Sequence, residues 1–352
     1  MRAAIVAVLV TAGAVGGQPV DPAPRKTTLL PPKTRLWQAA PTPDAKGVVT
    51  VTGDERTLRV WDAVTGKART WERGAADAGS VVFAPGGADV LVGRRDGTVT
   101  RHDLATGREL ARVAVGEKGV AGEPFFPLAA GTYGASKFDL SPDGTLLALE
   151  NPDSLTVTLH TWPGGAVAAR LRNEPLNRET WAATPRFGPG GKTLYCLVEG
   201  DARGFVAVWD VATGKQTRSL VPTRPISELS VSDDGRWVGA CGGFNRLVTA
   251  WDAVADLRQT ALPHPGDNCM RVAFSRDGKQ AAAVSTYSMG KKGARATVWD
   301  LETRRTVRSW VVSDDFYHGG IVFFSHDGRA LYTGGQNVGL FAWDLSVPGR
   351  MD

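Results

Sequence analysis

Residues 205–215, FVAVWDVATGK, contain the pattern that decides the fold. An apolar, β-branched run ends at Trp209-Asp210, and Thr213-Gly214-Lys215 follows it. Such a run is typical of a β-strand, and the glycine suits the positive φ of a tight hairpin turn. Pairs of the same kind occur at Trp61-Asp62, Trp251-Asp252, Trp299-Asp300 and Trp343-Asp344, and divergent copies surround His102 and His160. The pattern therefore recurs seven times along the chain.

The spacing of these copies indicates a repeat protein. Successive copies are 41, 58, 49, 42, 48 and 44 residues apart, an average of 47. A second motif, of which Ser141-Pro142-Asp143-Gly144 is typical, precedes each copy by 18 to 24 residues. It begins at Thr42, Ala84, Ser141, Gly188, Ser232, Ser275 and Ser325. The short apolar runs between the turns predict four antiparallel strands in each repeat.

The repeat predicts an all-β fold. A four-stranded sheet of about 47 residues cannot bury both of its faces alone, but sheets stacked around a ring can bury all of them. We therefore predict a single seven-bladed β-propeller of four-stranded antiparallel blades. Only residues 345–352 follow Trp343-Asp344, whereas the strand-like run Thr27–Leu30 precedes the first repeat. An N-terminal strand is thus expected to complete the last blade and close the ring.

Over about residues 26–346 the repeats resemble those of the WD-repeat β-propeller family, in the form of a divergent, exported, bacterial-type member. The resemblance implies a central channel with the four strands of each blade running outward from it. The Gly-His pair of the family is absent from all seven copies. The polar residue six positions before the Trp (His102 in the second copy) is retained as Glu55, Asp96, Asn245 and Asn337. The Ser/Thr–His–Asp–Trp hydrogen-bond network that the family implies is therefore expected to be incomplete, with apolar packing in its place.

Composition supports this fold and excludes other classes. Hydrophobic residues make up 42% of the chain and charged residues 22%, which excludes wholesale disorder. The 42 Gly and 21 Pro residues favour many turns and short strands. The net charge of +5 is spread along the chain, so no nucleic-acid surface is predicted.

The N-terminal residues predict export. Residues 1–17 combine Arg2, an apolar stretch over residues 3–15 and the small pair Gly16-Gly17, which is typical of a cleavable signal peptide. The expected location is the periplasm or the exterior, with no stable membrane insertion after the signal is removed. Residues 18–25 are then an extended lead-in, residues 26–346 the propeller and residues 347–352 a C-terminal tail.

The cysteines predict no metal or haem site. Cys196, Cys241 and Cys269 are odd in number and lack the close pairing of such sites. Buried free thiols are favoured, and a disulfide between Cys241 and Cys269 is the alternative for an exported protein. No cofactor and no metal are predicted.

The connections between strands predict a binding face. The turns between the first and second strands and between the third and fourth are short and repetitive, whereas the connections on the opposite face vary in length. The long stretches expected there are residues 115–134, 173–184, 199–204, 286–295 and 312–320. Loop excess on one side of a rigid scaffold is where binding residues usually lie. The candidate partner-binding residues are Phe125, Phe126, Tyr133, Arg178, Trp181, Tyr287, Lys291, Phe316 and Tyr317.

We therefore expect a non-catalytic, monomeric scaffold that binds an unidentified protein or peptide. No catalytic constellation is found around the five His residues, and the Asp of each Asp-Gly pair is assigned to turn geometry. One alternative is an enzyme, because Asp62–Lys67 with Trp71 is similar to the repeats of quinone-dependent dehydrogenase propellers. A propeller lactonase and an exported sugar- or polymer-binding module are the others.

Overall fold

A computed structural model describes most of the predicted propeller. The described ranges are 23–31, 34, 36–42, 46–52, 57–62, 65–72, 78–94, 97–115, 138–151, 155–173, 180–200, 204–222, 224–242, 246–287, 293–314, 318–336 and 338–346. Of these, residues 37, 57, 72, 78–80, 180–183, 200, 318–320 and 336 are described by their backbone alone. The predicted signal peptide and the predicted C-terminal tail lie outside the described residues.

The described residues form 28 strands in seven antiparallel sheets of four, which confirms the predicted all-β propeller. Blade 1 consists of β2 (Leu36–Pro41), β3 (Gly47–Thr52), β4 (Thr57–Asp62) and β5 (Ala68–Glu72). Blade 2 consists of β6 (Ala78–Phe83), β7 (Asp89–Arg94), β8 (Thr98–Asp103) and β9 (Glu109–Ala114). Blade 3 consists of β10 (Phe138–Leu140), β11 (Leu146–Glu150), β12 (Thr156–Thr161) and β13 (Val167–Arg172).

The remaining blades follow the same order. Blade 4 consists of β14 (Thr180–Phe187), β15 (Thr193–Gly200), β16 (Phe205–Asp210) and β17 (Lys215–Leu220). Blade 5 consists of β18 (Glu228–Val231), β19 (Trp237–Cys241), β20 (Leu247–Asp252) and β21 (Arg258–Pro263). Blade 6 consists of β22 (Asn268–Phe274), β23 (Gln280–Thr286), β24 (Ala294–Asp300) and β25 (Arg305–Ser313). Blade 7 consists of β26 (His318–Phe324), β27 (Ala330–Gln336), β28 (Gly339–Asp344) and, from the other end of the chain, β1 (Lys26–Leu30). Within each blade the strands are called a to d from the channel outward.

Burial follows the position of each strand in its blade. Every described position of the b strands β3 and β7 is buried, whereas the d strand β9 is exposed or half-buried throughout. The hydrophobic core lies between the blades. One cluster, for example, joins Trp237 and Val248 of blade 5 to Val272 and Trp299 of blade 6. Each sheet therefore buries its faces against its neighbours, as the repeat requires.

The ring closes as predicted. The a strands contact one another in the order β2, β6, β10, β14, β18, β22, β26 and back to β2. β1 pairs antiparallel with β28, with Lys26 opposite Trp343 and Thr28 opposite Phe341. Leu29 and Leu30 are buried in the core of this junction. The two ends of the propeller thus share one sheet, and the last blade takes its outer strand from the start of the chain.

The Trp-Asp pairs end the c strands and organise the turns that follow. In blade 4, Asp210 Oδ1 accepts hydrogen bonds from the backbone N of Thr213 (2.8 Å) and from its Oγ1 (2.7 Å). Asp62, Asp103 and Asp300 accept the same pair of hydrogen bonds in blades 1, 2 and 6. Gly214, in the turn that this aspartate holds, has a positive φ of 63°. The turn assignment made from sequence is confirmed.

The tryptophans make two kinds of hydrogen bond. Trp61 donates to Thr50 Oγ1 (2.9 Å) and Trp343 to Thr333 Oγ1 (2.7 Å), each within its own blade. Trp209 instead donates to Asn173 Oδ1 of the preceding blade at 3.0 Å. Trp299 likewise donates to the carbonyl oxygen of Pro263 at 3.0 Å. The intrablade network is therefore replaced in some repeats by a link between neighbouring blades.

The connections fall into two classes. All seven a–b turns span five residues: 42–46, 84–88, 141–145, 188–192, 232–236, 275–279 and 325–329. We call the side of the ring that carries them and the c–d turns the short-turn face. The b–c and d–a connections form the opposite, long-connection face and range from two residues (337–338) to 23 (115–137). The predicted contrast between the faces is confirmed.

All five predicted long connections have other bounds in the structure: 115–134 becomes 115–137, and 286–295 becomes 287–293. The connection predicted at residues 173–184 ends at residue 179, because β14 begins at Thr180. The connection predicted at residues 312–320 is only 314–317, because β25 extends to Ser313 and β26 begins at His318. The b–c connection predicted at 199–204 is only 201–204, because β15 extends to Gly200. Pairing with the neighbouring strand decides where each strand begins or ends.

The three thiols are buried and free. Burial, with a smaller contribution from the charge of Glu150, raises the pKa of the Cys196 thiol. Cys241 and Cys269 belong to neighbouring blades and lie in one hydrophobic cluster. The structure thus agrees with the favoured interpretation of buried free thiols.

Candidate functional site

Most of the sequence-predicted binding residues fall outside the described part of the chain. These are Phe125, Phe126, Tyr133, Arg178, Lys291, Phe316 and Tyr317. Tyr287 is described, is half-buried and directly follows β23 on the long-connection face. Trp181 lies within β14 at a break in register between Thr180 and Ala182, where one extra residue is inserted relative to β15. Its placement in a loop is therefore corrected to a β-bulge at the start of an a strand.

On the short-turn face, one position of the a–b turns surrounds the mouth of the central channel. The second residue of the turn is proline in blades 2, 3 and 4 and charged or titratable in blades 5, 6 and 7. The former are Pro85, Pro142 and Pro189, and the latter are Asp233, Arg276 and His326. The mouth therefore has an apolar side, which we call the proline arc, and a charged side.

Contacts between successive turns hold the proline arc in place. A Cβ added at Gly235 would lie 2.8 Å from both Cγ and Cδ of Pro189, so a glycine is required for the two turns to approach so closely. A Cβ added at Gly144 would lie 3.4 Å from Pro85, and one added at Gly191 would lie 3.6 Å from Pro142, so these turns are near neighbours without requiring a glycine on grounds of space. The ring of each proline fixes the backbone φ of that residue, and it lies next to the following turn. The arc is therefore a preformed surface.

A cavity of about 770 Å³ lies at this mouth. Its lining comes from the a–b turns of blades 2 to 5, from Arg276 of blade 6 and from the ends of the a strands beneath them. A second cavity of about 260 Å³ lies against the a strands of blades 1, 4, 5, 6 and 7. Both cavities are lined by Arg186, Ser230, Val231, Asp233 and Arg276. These five residues mark the centre of the candidate site.

Asp139 and Arg186 form the charged wall below the proline arc. Asp139 Oδ2 accepts a hydrogen bond from the backbone N of Phe187 (2.7 Å) and Oδ1 from that of Leu140 (3.0 Å). Burial raises the pKa of the Asp139 carboxyl, and Arg186 and the two N–H groups oppose that shift. Burial likewise lowers the pKa of the Arg186 guanidinium, which Asp139 opposes. The carboxylate therefore links blade 3 to blade 4, while the guanidinium lines both cavities.

Two further polar links join a strands across the channel wall. Gln38 of blade 1 exchanges two hydrogen bonds with the backbone of Val81 in blade 2. Glu228 of blade 5 lies 3.6 Å, Oε2 to Nε, from Arg271 of blade 6. Both residues of this ion pair are largely buried. Gln38 satisfies backbone hydrogen-bonding groups of the next blade, and the Glu228–Arg271 pair neutralises two buried charges. Both links have a structural role.

The charged side of the mouth contains a carboxyl group in an unusual environment. Asp233 is exposed at the rim, yet partial desolvation raises the pKa of its carboxyl group, and the positive charges of Arg276 and His326 oppose that shift. The neighbouring Asp234 is held by its own turn, since its Oδ1 accepts from Ser232 Oγ and from the backbone N of Arg236. Asp233 and Arg276 line both cavities, whereas Asp234 lines only the larger one and His326 only the smaller one.

A cleft of about 520 Å³ separates blades 1 and 2 near the rim of the same face. Trp61, Val60 and Leu104 contribute its apolar surface. Arg69 donates hydrogen bonds from its guanidinium to the carbonyl oxygens of Leu104 and Ala105. The arginine therefore anchors the c–d turn of blade 2 to the outer strand of blade 1.

No family model matches this chain. In the part of the chain that the structure describes, His, Cys, Asp and Glu side chains form no group of three able to hold a metal ion. None of the elements in the described ranges is a helix long and apolar enough to cross a bilayer.

Sequence reasoning did not single out the residues of the channel wall. The a strands contain these polar residues two or four positions before the a–b turn: Gln38, Asp139, Arg186, Glu228 and Arg271. In a strand with apolar neighbours, such residues need a partner once they are buried. Polar residues just before each a–b turn motif are the signal in the sequence that points to these positions, although not to their partners.

Proposed function

We propose that the chain is a divergent, exported WD-repeat protein that acts as a non-catalytic scaffold and binds a protein partner through its long-connection face. The observation that carries this proposal is the contrast in connection length between the two faces. The a–b turns all have five residues, whereas the opposite connections vary from two to 23. Variation restricted to one side of a rigid ring is typical of a binding surface.

The WD-repeat part of the proposal rests on the hydrogen bonds of the repeat. The aspartate of the Trp-Asp pair holds a Thr-containing turn in several blades, and Trp61 and Trp343 donate to a threonine of the adjacent b strand. These contacts match part of the network that the resemblance implies. The links of Trp209 and Trp299 to neighbouring blades explain how repeats that lack the rest of the network are held.

The rigidity of the ring supports a scaffold role. The a strands form a continuous circle, and the first and last described strands, β1 and β28, pair in one sheet. A preformed surface loses little conformational entropy when a partner binds, so affinity does not depend on ordering the scaffold. Aromatic and arginine residues are enriched at the centres of protein interfaces, and the sequence places both residue types in the connections of this face.

Site-specific photo-crosslinking tests the face. A photoreactive phenylalanine replaces Tyr287 on the long-connection face or, as the matched control, the exposed Arg329 in an a–b turn. The full chain is expressed in cells that export it, and adducts are identified by mass spectrometry. We expect one protein to be crosslinked from position 287 and not from position 329. Crosslinking from position 329 alone, or equally from both, would overturn the assignment of the face.

Two further measurements test partner binding and export. Combined substitution of Phe125, Trp181 and Tyr317 by Ala is expected to reduce recovery of the crosslinked partner by at least tenfold. Unchanged recovery would contradict the role of these side chains.

N-terminal sequencing tests export, and the sequence of the exported protein is expected to begin near Gln18. Full-length protein retained inside the cell would contradict the signal peptide.

A further inference from the structure

We propose that the channel mouth on the short-turn face is a second binding site, and that it takes an acidic peptide segment: a carboxylate beside Arg186 and Arg276, next to a proline or aromatic side chain on the proline arc. This site lies on the face opposite to the one in the proposed function. It does not depend on that proposal.

The apolar part of the site is the proline arc. Pro85, Pro142 and Pro189 line the cavity, and the ring of Pro189 lies so close to the next turn that only a glycine, Gly235, fits there. Flat, rigid side chains such as proline or an aromatic ring can lie on such a surface without ordering it first. The arc therefore selects an apolar neighbour for the charged group of the ligand.

The charged part of the site selects an anion. The wall carboxylates already have partners: Asp139 accepts two backbone N–H groups, Asp234 is held within its turn, and Glu228 faces Arg271. The groups that line both cavities include the guanidiniums of Arg186 and Arg276 and one carboxyl group, that of Asp233. Arg186 donates to the carbonyl oxygen of Pro185 at 2.7 Å and interacts with Asp139, and Arg276 interacts with Asp233, so a ligand carboxylate would add to these contacts. A guanidinium binds a carboxylate with two parallel hydrogen bonds, whereas a cationic ligand would be repelled by both arginines.

The water-poor environment strengthens this selection. Below the exposed rim, burial raises the pKa of the Asp139 carboxyl and lowers that of the Arg186 guanidinium, the directions that reduced hydration requires. Charge interactions in such a setting are stronger than at an open surface. The cavity of about 770 Å³ falls within the range of 300–1,000 Å³ that is usual for small-ligand sites, so it fits a segment of a few residues rather than a whole domain.

Synthetic peptides test the site directly. The probes have the form Ac-Gly-X-Z-Gly-NH2, where X is Pro, Trp or Ala and Z is Glu, Gln or Lys, and each is titrated into the full chain by calorimetry. We expect the Glu peptides to bind at least tenfold more tightly than the Gln peptides, with Pro and Trp stronger than Ala at X. Affinity should fall as salt is raised. Equal or tighter binding of the Lys peptides, or no binding of any Glu peptide at 5 mM, would overturn the proposal.

A pair of variants in one turn locates the binding. Arg276→Gln removes the exposed guanidinium of the mouth, and Lys279→Gln removes an equal charge from the same turn without touching either cavity. We expect Arg276→Gln to weaken binding of the Glu peptides about tenfold, a difference of about 1.4 kcal/mol. Lys279→Gln should change it less than twofold. Equal effects of the two variants would overturn the site.

The same variants separate this proposal from the proposed function. Arg276→Gln is expected to leave crosslinking from position 287 unchanged. Loss of crosslinking from position 287 in the presence of saturating Glu peptide would show that the two faces share one ligand, which contradicts a second site. Failure of the crosslinking experiment alone leaves the peptide result standing.

Discussion

The side-chain amide of Gln38 is bound to the backbone of Val81 in the next blade. Gln38 Nε2 donates to the carbonyl oxygen of Val81 at 3.1 Å, and Gln38 Oε1 accepts from its N–H at 2.7 Å. Gln38 lies in β2 and Val81 in β6, so the amide joins the a strands of blades 1 and 2. It satisfies both polar groups of a buried residue with one side chain.

Replacing Gln38 by Leu should therefore destabilise the propeller. The substitution leaves the N–H and carbonyl groups of Val81 without this partner, and a buried unsatisfied group costs about 1–3 kcal/mol. Urea unfolding measures the change. Gln259→Leu is the matched control, because Gln259 is exposed on the outer strand β21. A loss no larger than that of the control would show that the Gln38 amide does not stabilise the fold.

The closing strand predicts a second effect. Leu30 in β1 is 2% exposed and packs in the cluster that joins blades 7 and 1. Leu30→Ala is expected to lower the free energy of unfolding by about 2–5 kcal/mol, because it leaves a cavity in this core. Leu110→Ala, at a leucine that is 40% exposed in β9, should have little effect.

Hydrogen exchange locates the damage in that variant. Because β1 pairs with β28, the backbone amides of β28 should exchange faster in Leu30→Ala, whereas those of β16 in blade 4 should change less. Uniform acceleration in both strands would show that the ring does not open first at its closure.

The c–d turns predict a stabilising substitution. Gly214 has a positive φ of 63°, and Arg304 at the end of the corresponding turn of blade 6 has nearly the same value, 59°. A side chain in this conformation destabilises the folded state by roughly 1–2 kcal/mol. Glycine removes that strain, but it also makes the unfolded chain more flexible, which offsets part of the gain. Arg304→Gly should therefore raise stability by about 0.5–1 kcal/mol, measured by thermal unfolding. Gly214→Ala is the opposite control and should lower it.

The turn aspartates predict loss of stability in acid. Hydrogen bonds from the side chain and backbone of Thr213 lower the pKa of the Asp210 carboxyl, and those from Thr303 do the same for Asp300. Since the folded pKa lies below the unfolded one, the stabilisation is present above the unfolded pKa and is lost as pH falls through the folded pKa. The melting temperature should fall as pH is lowered from 5 to 3.

An amide substitution checks the origin of this pH dependence. Asp300→Asn keeps an acceptor oxygen for Thr303 but cannot ionise, so its melting temperature should fall less between pH 5 and pH 3 than that of the parent protein. An identical decrease in both proteins would exclude Asp300 as a contributor. Calorimetric scans at several pH values make the comparison.

The repeats were sufficient to predict the strands but not their ends. The pattern around Trp209 and the strand-like run Thr27–Leu30 predicted the c strands and the closing strand, which the structure confirms. Trp181 was predicted in a loop and lies in β14, because pairing with β15 extends that strand beyond its apolar residues. Of the candidate binding residues, only Tyr287 is described with its side chain, and its role stays a prediction.

The sequence by itself determined the seven repeats, the four strands of each and the strand that closes the ring. Those features depend on turns and on apolar alternation within about 47 residues, so each repeat contains the information for its own blade. Only the tertiary structure decided the channel mouth. Pro189 lies against the turn of Gly235, and Asp139 accepts a hydrogen bond from the backbone N of Phe187, in each case between successive blades whose facing atoms the repeat pattern does not specify. Those contacts exist because closure of the ring sets the angle and distance between neighbouring sheets.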